Sequence, residues 1–66
     1  MEYTQQDLAQ AKRQIDSILQ KLRETIKTFE AKEDPQKYQS QLTLARRRVA
    51  ALEIAGELIA RELKPI

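Results

Sequence analysis

The 66-residue chain contains no cysteine, no histidine and no tryptophan, and only one glycine, two prolines and three aromatic rings. Without cysteine there is no disulfide to restrain the unfolded chain, no thiolate nucleophile and no structural zinc of the usual thiolate kinds. Without histidine the side chain that most readily exchanges protons near neutrality and ligates transition metals is missing too. No metal and no cofactor is therefore expected. Met1-Glu2-Tyr3 is not a basic segment leading into an apolar core, and no run approaches the roughly 18 apolar residues of a membrane span. A cytoplasmic protein without a membrane partner is the expectation.

What the chain does have is 41% apolar and 33% charged residues, with a net charge of +2. The apolar set is dominated by eight leucines, six isoleucines and eight alanines, and the alanines have little surface to hide. A domain this short buries a smaller fraction of its unfolded surface than larger domains do, about 60%, so residues 1–66 are expected to form one unit that gains by pairing with a second copy.

Thr4 and Asp7 have the spacing of a capping box, with Tyr3 and Leu8 at the flanking staple positions. Asp7 also puts negative charge in a first helical turn, where unpaired amides favour it. From there Leu8, Ala11, Ile15, Ile18 or Leu19, Leu22, Ile26 and Phe29 recur at spacings of three and four. Leu19 and Ile26 widen the stripe beyond a narrow coiled-coil seam, as in a helix with more than one neighbour. This predicts a helix over about 5–31.

Asp34-Pro35 marks the break, because proline drives the residue before it out of helical angles and is itself favoured at the first position of a helix. Asp34 is expected to cap the second helix, over about 35–63, after a turn at about 32–34. So short a link predicts antiparallel neighbours, the alternative being one rod kinked at the proline. In the second helix Tyr38, Leu42, Ala45, Val49, Leu52, Gly56, Ile59 and Leu63 alternate gaps of four and three without interruption. Lys64 then supplies terminal positive charge and Pro65 a stop. The fold class is all-α, a two-helix antiparallel hairpin expected to dimerise into a four-helix bundle.

Residues 49–60 are apolar nearly all round, with Glu53 and Glu57 forming a polar line continued by Arg61. One neighbour cannot cover that circumference, and Ile54 and Leu58 point away from the main seam. The expected partner or dimer surface is Val49, Leu52, Ile54, Ala55, Gly56, Leu58 and Ile59. Gly56 sits on the seam, where a helix-interior glycine costs about 1 kcal/mol relative to alanine. A close helix crossing is the preferred reading, ahead of a bend or binding notch, with simple tolerance the remainder.

Arg46, Arg47 and Arg48 make the one dense basic run, but three successive helical residues span about 300° of circumference and cannot form a flat face. Arg47 is expected to point outward, with Arg46 and Arg48 reaching carboxylates such as Asp16, Glu24 or Glu30. Contact with nucleic acid comes second to such pairing, and an acidic protein partner third. No helix-turn-helix pattern, zinc module or aromatic-glycine strand motif supports base readout, leaving phosphate attraction alone.

Glu53 and Glu57 lie on adjacent turns and face solvent, which leaves nothing to perturb them for acid-base work. A composite site of Arg46, Arg48 and Glu53 across subunits is conceivable, though no spacing selects it, and Tyr38 reads as a seam residue rather than a catalytic phenol. The alanines favour close helix approach over a lipid-holding cavity. The first helix is too balanced in charge, with six basic and six acidic residues through Glu33, to be drawn to an anionic membrane. The sequence therefore points to a small non-enzymatic interaction or scaffold module, a homodimer with room for a heterologous helical partner. A weak nucleic-acid-binding or regulatory module is the alternative, and a small enzyme with a site shared between subunits comes next.

Overall fold

The backbone amide of Asp7 donates to the Thr4 hydroxyl at 3.0 Å, and the Thr4 amide donates back to the Asp7 carboxylate at 3.1 Å. This reciprocal cap satisfies two amides and starts α1, Gln5–Glu30. Thr4→Ala removes the acceptor and is expected to cost about 1 kcal/mol, read as a lower thermal midpoint by circular dichroism. An unchanged midpoint would mean that the first turn is held by packing instead. The computed structural model describes residues 2–64, apart from the Pro35 side chain, so the stop expected at Pro65 lies outside the described residues.

α1 ends at Ala31, whose amide donates to the Lys27 carbonyl. The chain then turns through residues 31–34 and makes one 3-10 turn, Pro35–Tyr38, before α2, Gln39–Glu62. The expected second helix thus loses its first four residues to the tighter 3-10 form. The joint is at Tyr38, whose φ of −108° and ψ of 15° leave the helical region. That bend lays the Tyr38 ring on Phe29, with centroids 4.8 Å apart and planes 23° from parallel. Asp34 stands at the cap position as expected, but its side chain makes no capping bond; its carbonyl accepts from the Lys37 amide instead.

The two helices lie antiparallel as a hairpin of 47 × 19 × 14 Å. The opposite end is tied by Gln5, whose amide nitrogen donates to the Glu62 carbonyl and whose oxygen accepts from the Lys64 amide. One side chain therefore satisfies backbone groups where α2 runs out of intrahelical partners.

The seam runs along Leu8, Lys12, Ile15, Leu19, Leu22, Ile26 and Phe29 of α1, all buried or half-buried, against Leu42, Ala45, Val49, Leu52, Gly56, Ile59 and Leu63. Of the alternatives at the middle of α1 it is Leu19 that is buried, while Ile18 is exposed. Ala11 is exposed as well, and the seam place expected for it belongs to Lys12. The stem of Lys12 lies along the seam while its ammonium reaches Asp16 at 2.7 Å.

That lysine stem faces Gly56. A β-carbon built there would stand 3.4 Å from Ile15 Cγ2 and 3.8 Å from Lys12 Cε, so Ile15 and the lysine stem leave room for a methyl and for little more. The close crossing lies within one hairpin.

Candidate functional site

The seam divides the surface of the hairpin into two flanks by a simple rule. Residues that follow a seam position by one project to one side: Asp16, Arg23 and Glu30 on α1, Arg46, Glu53 and Glu57 on α2. Arg46 reaches Glu30 at 2.7 Å, one of the three carboxylates expected for it, and Arg23 reaches Glu53 at 3.4 Å. These pairs bridge the helices and are about half exposed, so each contributes little to stability. They do mark this flank as charged and self-satisfied.

Residues that precede a seam position by one project to the other side. On α1 they include Ala11 and Ile18, and on α2 Leu44, Arg48, Ala51, Ala55 and Leu58. This flank carries no ion pair among the described residues. Ile18 is 44% exposed, Leu44 48% and Leu58 54%, large apolar groups in water on one side of the molecule. At the chain-end extremity the flank opens into a shallow notch of about 460 Å³ bordered by Tyr3, Asp7, Leu8, Ala11 and Ile59.

The structure divides the seven residues expected at a partner surface. Gly56 is buried against Ile15 and Lys12, and Val49, Leu52, Ala55 and Ile59 are half-buried along α1 or beside it. Leu58 stands on the apolar flank, and Ile54, 62% exposed, faces the back of α2. Leu44, Ile18 and Tyr3 complete the set of exposed large hydrophobic residues among those described. Leu44 is detectable in the sequence only by noticing that Leu44, Ala51 and Leu58 recur every seven residues, in a second stripe parallel to the main seam.

The three arginines diverge. Arg46 is engaged with Glu30 on the charged flank, Arg48 lies on the apolar flank, and Arg47 faces outward between them. Neither Arg47 nor Arg48 makes an ion pair among the described residues. They offer separate point charges and no continuous phosphate track. Glu53 and Glu57 stand on the charged flank, Glu57 held to Arg61 at 2.8 Å. Among the described residues no three acidic side chains converge as metal ligands would. No described helix is long and apolar enough to cross a membrane. Comparison with family models, curated proteins and solved structures finds no match to this chain.

Proposed function

We propose that the chain is a small non-enzymatic interaction module that pairs with a second copy through its apolar flank, forming a four-helix bundle whose outer surfaces meet protein partners. The observation carrying this reading is the asymmetry between the flanks. Fourteen residues follow the seam and nine of them are charged; fourteen precede it and four are charged. A hairpin acting alone in water has no reason to sort its surface in this way.

Surface area supports the same reading. The hairpin exposes 5645 Å², whereas a compact 7.7 kDa protein exposes about 4,300 Å². The excess is more than the roughly 800 Å² per partner of an ordinary stable interface. The radius of gyration, 15.0 Å against about 11 Å for a compact chain of this length, reflects the same elongation. Covering one flank with another hairpin brings the ratio of surface to volume back toward that of ordinary domains.

Sedimentation across micromolar concentrations tests the reading. The wild-type chain is expected as a dimer, and replacing Leu44 and Leu58 together by serine is expected to raise the dissociation constant at least about 100-fold. A wild-type chain that sediments as a monomer throughout the range would end the proposal.

A further inference from the structure

Resting on that pairing, the geometry points to one arrangement of the second copy: we infer that it docks flank to flank and end over end, about a two-fold axis passing between Ile18 and Ala51. Two independent features of the flank select it. The first is spacing. Leu44 and Leu58 lie seven residues on either side of Ala51, so an antiparallel copy of α2 centred there brings each Leu44 against the Leu58 of the other copy. Ile15 packs against Gly56, which sets Ile18 within about one helical turn of the level of Ala51. The same axis therefore brings Ile18 to Ile18, and the small Ala51 and Ala55 let the α2 backbones approach.

The second feature is charge. Beside the uncharged polar Gln14, Thr25, Thr28 and Gln41, the flank carries four charges, Asp7, Lys21, Arg48 and Glu62, and these are segregated. Both acids, Asp7 and Glu62, belong to the half bearing the chain ends, and both bases, Lys21 and Arg48, to the half bearing the turn. End-over-end docking carries the acids of the two copies to opposite ends of the pair, while Lys21 and Arg48, about three residues from the level of the axis, stay near their counterparts. The competing two-fold, parallel to the helices, lays acid on acid and base on base. At the 8–10 Å spacing typical of packed helices like charges are only partly screened at physiological salt, so the end-over-end arrangement is favoured because it avoids acid on acid.

The absence of native cysteine makes the test direct. Ala51→Cys, at an exposed position, is treated with a short bis-maleimide and run on a denaturing gel. The expected result is efficient conversion to a species of twice the monomer mass. Leu44→Cys alone is expected to stay monomeric on the gel, because its two copies are about 21 Å apart along the axis. Mixed with Leu58→Cys, it is expected to cross-link. A protein that sediments as a dimer but links through Leu44→Cys as readily as through Ala51→Cys, or not at all through Ala51→Cys, overturns the arrangement while leaving self-association standing. A protein that never dimerises overturns both.

Discussion

Leu42→Ala is expected to lower the melting temperature by roughly 10–20 °C, since it removes about 2–3 kcal/mol from a domain of this size. Leu42 is the most deeply buried large side chain among the described residues, at 3% exposure, and among them only Leu19, Ala45 and Gly56 are buried with it. So small a core has little redundancy, and a cavity at Leu42 cannot be refilled from flanking layers. The total stability of a 66-residue domain is of the order of 3–10 kcal/mol, so this one truncation takes a large share of it. Thermal melts are to be compared at equal protein concentration, because association adds to apparent stability. Ile54→Ala, on the back of α2, is the control and is expected to move the midpoint by less than roughly 4 °C. Equal shifts for the two variants would contradict the seam described above.

Gly56 gives the second large effect, and here two substitutions are expected to act in opposite directions. In Gly56→Ala the new methyl meets Ile15 Cγ2 at 3.4 Å, an ordinary contact distance, while the helix gains about 1 kcal/mol of intrinsic propensity. The melting temperature is expected to rise by several degrees. Gly56→Leu has no such space: its branched end must displace Ile15 and the Lys12 stem, an overpacking cost of about 1–3 kcal/mol. A midpoint below that of the wild type is expected. If leucine stabilised the hairpin as well as alanine does, the close crossing would be wrong.

Much of this fold is legible in the sequence because its signals are local. The Thr4–Asp7 cap needs only four residues of chain to declare itself, and both of its hydrogen bonds form. The four-three alternation from Leu42 to Leu63 appears in space as the α2 side of the seam. What escapes is set by pairing across the hairpin. Ala11 suits the apolar stripe better than Lys12 until one knows that the facing residue is a glycine, which lets a lysine stem lie where a methyl was expected. Gln5 carries no signal of its own, since its two bonds depend on where α2 ends, 57 and 59 residues away. The 3-10 turn at Pro35–Tyr38 is equally non-local, reflecting the stacking of Tyr38 on Phe29. At the candidate surface Leu58 and Ile54 could be read from the apolar circumference of α2. Leu44 shows only through its heptad spacing to Ala51 and Leu58, and the exposure of Ile18 follows from Leu19, one residue on, facing the other helix.

The Gln5 clasp has a consequence for what could be attached to this molecule. By joining the start of α1 to the finish of α2 it gathers Gln5, Glu62 and Lys64 at one pole of a body 47 Å long. Any domain fused to either end departs from that pole. In the end-over-end pair inferred above the two poles are opposed, so the bundle would act as a rigid spacer holding two cargoes at opposite tips and pointing them apart.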